Sequence, residues 1–226
     1  MLNVVKVNLV STQLMRFRAR TLPRGVSLDY LVHAVLRALF GVSDENDERG
    51  AIRPFTVLND STSIIPVLGY TTLSKERCLN QFLNSEASCV CKDEPLIMPV
   101  PVENGLIPFK CRAVPIVRQG SRGSKKKKEI PAFMSKRFEA PTQVESYRQW
   151  FNDQVEPFTT HDLTIEPKPV DLSRRKEDRY FTKFPSHVID VRGKLAVSDT
   201  TDLERLLAQG VGRHQGFGFG MIQLVG

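Results

Sequence analysis

The amino-acid sequence predicts an α+β protein built from two tandem ferredoxin-like domains, each a βαββαβ unit. Three observations predict it. Strand-like and helix-like segments run through the same six steps twice. The helical segments carry their own start and stop residues, which separates them from the strands. A turn signal, Glu103-Asn104-Gly105, divides the two series and sets the expected domains at 1–103 and 104–226. With 226 residues, 41% of them hydrophobic, the chain holds enough apolar material for two small cores.

The first series opens with a strand at 4–10. Ser27 can cap a helix that runs to about Phe40, and Gly41 suits its stop. Two β-like runs follow, 52–58 and 63–70, joined by the turn Asn59-Asp60-Ser61-Thr62. A second helix fits 74–83, with Leu79, Phe82 and Leu83 inward. Residues 96–102 return as a strand.

Past the boundary, 106–114 is a strand and a basic loop runs from Val117 to about Ile130. Thr142-x-x-Glu145 is a capping box that opens a helix with Val144, Tyr147 and Phe151 on one face. Two β-like runs, 159–166 and 187–197, flank a charged connection. Thr201-x-x-Glu204 opens a last short helix carrying Leu203, Leu206 and Leu207, which Gly210 can end. Residues 217–225 form the closing strand. The halves share element order and no sequence repeat.

Charge separates the halves. Residues 1–103 hold 11 Lys/Arg against 11 Asp/Glu; residues 104–226 hold 21 against 14, which is the whole net charge of +7. Between Lys110 and Arg137 stand 10 basic residues and one acid, Glu129. Such a patch attracts polyanions through counterion release, and so points to nucleic acid. For the run Lys125, Lys126, Lys127, Lys128 taken alone, a solvated loop is an equal reading. No apolar run is long enough to span a bilayer. The N-terminal segment lacks a basic leader and a small-residue cleavage site, so a cytoplasmic protein is expected. Four cysteines, at 78, 89, 91 and 111, include one C-x-C without a zinc-like partner pair, and read as reduced thiols.

The predicted first helix carries the most chemistry. Leu28, Leu31, Val32, Val35, Leu36, Leu39 and Phe40 form one apolar face. Tyr30, His33 and Arg37 fall on the opposite side, a phenol, an imidazole and a guanidinium lined up toward solvent. These groups suit RNA cleavage without metal. The imidazole titrates near neutrality and can move the 2′-OH proton, while the guanidinium offsets phosphate charge. An ordinary amphipathic helix with polar residues outside accounts for the same stripe.

The segment GVGRHQGFGFGM, Gly210 to Met221, interleaves glycines with Phe217 and Phe219. As a strand it would leave one face bare for a phosphate backbone, with Arg213, His214 and Gln215 at the tip. It lacks the Gly-Lys-Ser/Thr of a P-loop, and a glycine-rich turn entering an edge strand is the plainer alternative. Arg118 and Arg122 in the basic loop, and Arg174, Arg175 and Lys176 in the charged connection, are further candidates for RNA contact. No carboxylate cluster resembles a metal site, His161, His187 and His214 lack ligand spacing, and no nucleophile elbow appears. Neither metal nor cofactor is expected.

Two of these segments carry a family resemblance. ERLLAQGVGRHQGFGFGMIQLVG resembles the ending of the CRISPR repeat endoribonucleases of the RAMP superfamily, where a short helix runs into a glycine-rich loop and a closing strand. SLDYLVHAVLRALF is similar to the early helix of the CasE branch, found in type I-E Cascade, with Tyr30 and His33 on its tyrosine and catalytic histidine. PFKCRAVPIV and VIDVRGKLAV also fit. The resemblance implies a metal-independent endoribonuclease that cleaves the CRISPR RNA stem-loop by 2′-OH attack. His33 would transfer the proton and Tyr30 would position it. The glycine loop and the basic residues of 104–226 would grip the RNA, with other Cascade-like effector subunits as partners and no membrane. Related enzymes serve type IV systems. A subunit of the same fold that holds the hairpin without cutting it is the alternative. An unrelated ferredoxin-like RNA-binding module would carry exposed aromatics in the RNP pattern, which the sequence lacks.

Overall fold

The computed structural model describes residues 1–22, 26–44, 47–59, 63–119, 128–176 and 180–225. Two four-stranded antiparallel sheets organise them. In the first, β1 (Asn3–Val10) is flanked by β5 (Ile64–Thr71) and β6 (Leu96–Pro99), and β4 (Phe55–Val57) completes the order β4-β5-β1-β6. The second repeats that order with β7 (Gly105–Ala113), β10 (Thr159–Lys176), β11 (Tyr180–Val197) and β12 (Ile222–Leu224), as β10-β11-β7-β12. In both, the first strand of the unit sits between the third and the fourth, which is the ferredoxin-like arrangement expected from the element order.

Local chemistry explains the helices. Val5, Val7 and Leu9 alternate inward on β1. They meet Leu31, Val32, Val35, Leu36 and Leu39 of α2 (Leu28–Phe40) and Cys78 and Phe82 of α3 (Lys75–Leu83) in one core. Ser27 caps α2 and Ser74 caps α3, each accepting a backbone N–H through its hydroxyl. In the second unit, Thr142 caps α4 (Gln143–Gln154), and Tyr147, Trp150 and Phe151 enter a core with Phe109, Cys111 and Leu203. That core also takes in Leu2, Tyr70 and Val100 from the first unit. The Tyr70 hydroxyl donates to the Ile222 carbonyl at 2.7 Å, tying the first sheet to the last strand.

Several elements differ from expectation. A helix α1 (Ser11–Thr21) follows β1 directly; only Leu14 of it is fully buried and no side chain caps it, so its sequence gives little signal. Leu83 is exposed, and Cys78 takes the inward place beside Phe82. α5 (Thr200–Gln209) is capped by Asp199, whose carboxylate accepts from Thr201 N at 2.7 Å, rather than by Thr201 itself. The basic loop is bracketed by a two-stranded ribbon, β8 (Ile116–Gln119) with β9 (Lys128–Pro131). A second ribbon, β2 (Val42–Asp44) with β3 (Asp47–Gly50), follows α2.

The described part of the charged connection forms two long paired strands. β10 and β11 stay paired from Thr159↔Ala196 to Lys176↔Tyr180, whereas β7 leaves β11 after Ala113↔Ile189. The outer hairpin therefore extends past the sheet as a two-stranded arm. Pro167 and Pro169 are tolerated because β10 is an edge strand. Among the described residues no helix is long and apolar enough to cross a membrane.

Candidate functional site

The outward stripe of α2 does not face solvent. Tyr30 and His33 are half-buried, and only Arg37 is exposed. What covers them is the segment 211–220, and its shape departs from the expected strand. Gly210, Gly212, Gly218 and Gly220 have φ of +64°, +69°, +81° and +78°, in the left-handed region that no strand can use. Only residues 222–224 are extended; residues 215–217 form a single 3₁₀ turn.

The loop is held shut at its base. Val211 N donates to Gly220 O at 2.9 Å, and Gly220 N donates to Arg112 O at 2.7 Å. A methyl group at Gly212 would lie 2.8 Å from the Trp150 ring, so the backbone itself rests on α4. His214 takes φ +62°, a conformation costing a non-glycine residue on the order of 1 kcal/mol.

That geometry delivers Phe217 onto the helix. Its ring stacks on Tyr30 at 5.8 Å between centroids and 20° between planes. It lies 5.8 Å from the His33 ring and 5.9 Å from the His214 ring. Tyr30 and His33 are themselves 6.4 Å apart. Just before it in the chain, Gly216 lets backbone approach the imidazole: a methyl group there would stand 3.5 Å from His33 Nδ1 and Cε1. Gln215 is buried, and its Oε1 accepts a hydrogen bond from Arg53 Nη2 at 2.8 Å.

Burial, first, and then the Arg37 and Arg53 guanidiniums hold the His33 pKa below its ordinary 6.5. The imidazole is therefore neutral at neutral pH. It can accept a proton from a hydroxyl brought beside it. The two guanidiniums make the same place electrically positive, a property that suits the charge of a phosphate.

The structure brings His33, Tyr30, Gln215 and His214 into one cluster, with Arg37 at its edge. Arg213 and Arg118 meet elsewhere, around Glu129: Arg213 Nε lies 2.9 Å and Arg118 Nε 3.8 Å from Glu129 Oε1. The bridge Val114↔Arg213 joins this second cluster to the loop. Arg122, Lys125, Lys126 and Lys127 lie outside the described residues. Lys128 falls in β9, and Arg174, Arg175 and Lys176 lie in the arm opposite Thr182, Phe181 and Tyr180.

Sequence reasoning did not single out Arg53, and it named Glu129 only as the one acid of the basic stretch. Arg53 had one signal, a lone charge in the apolar run Ala51-Ile52-Arg53-Pro54-Phe55. Among the described residues no group of three or more His, Cys, Asp and Glu could hold a metal ion. All four cysteines are free, and burial pushes the Cys78 thiol up to about 11 and the Cys91 thiol up to about 12.

Comparison with known proteins gives one family model and a set of similar folds. The family model described as CRISPR associated protein matches residues 10–225. The fold is similar to that of CRISPR endoribonuclease Cse3 bound to a 19 nt RNA, with a TM-score of 0.65 at 16% identity, covering 100% of this chain and 99% of that one. It is similar to the CRISPR-associated protein Cas6e of Escherichia coli str. K-12, with a TM-score of 0.55 at 18% identity and coverage of 100% and 99%. A chain of a CRISPR RNA-guided surveillance complex matches with a TM-score of 0.56 at 14% identity, covering 98% of both chains. No curated protein sequence matches.

Proposed function

The chain belongs to the family of CRISPR-associated proteins, and from that premise we propose that it is a CasE-type endoribonuclease that cuts the repeat stem-loop of CRISPR transcripts. In this reading residues 1–103 supply the cutting helix and residues 104–226 the grip on RNA. The cut hairpin stays bound, and the protein serves as a subunit of a Cascade-like effector complex in the cytoplasm. The observation that carries the reading is His33, a neutral imidazole fixed between Tyr30 and Phe217 with two guanidiniums nearby.

The steps follow from these groups. Neutral His33 takes the proton of the 2′-OH at the cleavage position. The 2′-oxygen attacks the adjacent phosphorus, and the bond from phosphorus to the 5′-oxygen breaks. That oxygen takes up a proton from solvent water and leaves as a 5′-OH, His33 gives its proton back to solvent, and the other fragment ends in a cyclic phosphate that water can open to a 3′-phosphate. Tyr30 orients the phosphate. Arg37 offsets the charge that grows on its oxygens. Arg118, Arg213 and the basic residues of the loop and the arm hold the stem through its phosphates.

The test is cleavage of an end-labelled repeat hairpin in excess chelator, with the natural chain and with His33→Ala. The natural chain cuts and leaves a 5′-OH; the variant binds without cutting. Cutting by the variant removes His33 from the mechanism, and a strict need for a divalent ion removes the mechanism itself. A natural chain that binds the hairpin tightly and never cuts it is the non-catalytic subunit instead. Binding itself should weaken with salt along a log–log slope of magnitude about 4 or more, as expected for about five to six phosphate contacts.

A further inference from the structure

Arg53 lies between β3 and β4 and is half-buried among apolar neighbours: Ala51, Ile52 and Phe55 are all at or below 5% exposure. A cation is placed in such surroundings only where something holds it. Its backbone is pinned on both sides, with Arg53 N donating to Tyr70 O at 2.9 Å and Tyr70 N donating to Pro54 O at 3.0 Å. Its side chain reaches across to the other unit, where Nη2 meets Gln215 Oε1 at 2.8 Å.

Gln215 is built to receive it. The amide is buried, and its Nε2 donates to Gly212 O at 3.1 Å, which turns the Oε1 toward Arg53. The segment around Arg53 also bears on both ends of the glycine loop. A methyl group at Gly210 would lie 2.9 Å from Pro54 Cγ, and one at Gly218 would lie 3.4 Å from Phe55 Cε2.

We infer that Arg53 is a positioning residue for the proposed cleavage: its bond to Gln215 clamps the Gly212–Phe217 turn onto the Tyr30–His33 face. The inference rests on the reading of that face as the cutting site. The clamp acts at the residue directly before Gly216 and Phe217, the two that touch His33. The same guanidinium acts on His33 at a distance, after burial and Arg37, in keeping the imidazole uncharged. Among the described residues, the other charged or titratable groups seen at this site are Tyr30, Asp29 and Arg37 on the helix and His214 in the loop.

The experiment is single-turnover cutting of the labelled hairpin across pH by Arg53→Gln, Arg53→Lys, Gln215→Leu and the double variant Arg53→Gln/Gln215→Leu. The cutting rate should fall about tenfold or more in Arg53→Gln, with hairpin affinity within about twofold of the natural chain. The acidic limb of its pH profile should move to higher pH, because a positive neighbour of His33 is gone. Arg53→Lys should recover part of the rate and of the limb. The double variant should lose no more than the worse single one, as two ends of one bond require. Gln215→Leu removes the bond while leaving the cation, so the clamp stays testable even if Arg53→Gln does not fold. Natural-like rates in both single variants, additive losses, or a pH limb that stays put in Arg53→Gln would overturn the inference. If the natural chain cuts and His33→Ala does not, such results leave the cleavage reading standing; if the natural chain never cuts, that reading has failed first.

Discussion

The molecule holds two clusters of a tyrosine, a histidine and a phenylalanine in nearly the same spacing, one formed across the two halves and one within the second. In the first cluster Tyr30 and His33 are 6.4 Å apart, with Phe217 at 5.8 Å from both. In the second Tyr147 and His187 are 6.4 Å apart, with Phe133 at 5.9 Å and 5.8 Å. Their helices, α2 and α4, hold the same position in the two βαββαβ units. The surroundings differ. Tyr147 is wholly buried, its hydroxyl accepts from Gln143 Nε2 on its own helix, and burial pushes the phenol up to about 12. Tyr30 and His33 stay half-open beneath a glycine backbone, with Arg37 and Arg53 acting on the imidazole. A ring triad is therefore a packing unit by default. Under the proposed function it becomes a reaction site where access and positive charge are added.

The largest expected effect comes from His33→Ala. Cutting should fall about 10²- to 10⁴-fold, the usual worth of a proton-transfer group, while the melting temperature changes little. In the other triad Tyr147→Ala should do the reverse. It should lower stability by about 3–5 kcal/mol, as other large core truncations do, read as a fall in melting temperature of about 2–4 °C per kcal/mol. The folded protein, assayed well below that temperature, should still cut at its natural rate. A severe loss of rate with intact folding would erase the distinction between the clusters.

A smaller effect should separate stacking from proton transfer. Phe217→Ala removes the ring that touches both Tyr30 and His33, contacts worth about 0.5–1.5 kcal/mol each beyond their area. Cutting should slow about tenfold, with hairpin affinity nearly kept in a gel-shift titration.

The pH profile is the finest probe. The folded His33 pKa lies below 6.5, so a neutral base stays available beneath that value. The acidic limb of kcat/KM should therefore fall below pH 6.5 rather than at it. Stability follows the same sign: between the unfolded and the folded value the unfolded chain binds the extra proton. Acidification through that window should thus lower the unfolding free energy. A limb above 6.5 would mean that neither burial nor the cations govern this imidazole.

Much of this was readable locally. Ser27 with Gly41, and Thr142 with Glu145, announce helix ends within a few residues of themselves, and the structure uses them so. Tyr30 and His33 fall on one side of α2 because a three-residue step does that on any helix. The cover over them was not readable, since it depends on the last loop folding back across the other unit. The glycines misled for a related reason. Alternation with Phe217 and Phe219 suggests a strand, whereas positive φ at four glycines shows that the spacing makes a turn. Asp199 displaced Thr201 as a cap because two acceptable capping residues stand two apart and sequence does not rank them. Arg53 gave only its isolation in an apolar run; its partner is 162 positions away.

The packing of Phe217 against His33 also orders events during synthesis. Protein chains emerge at about 5–20 residues per second and fold from the N-terminus. The helix that carries His33 is therefore exposed for about 10–40 s before Phe217 exists to cover it, at those same speeds. Over that interval the growing polypeptide has the imidazole without the turn that covers it, and its basic half is still being completed. Under the proposed function, a nuclease assembled this way is silent while it is being made, and gains the power to cut only when its two halves close on each other.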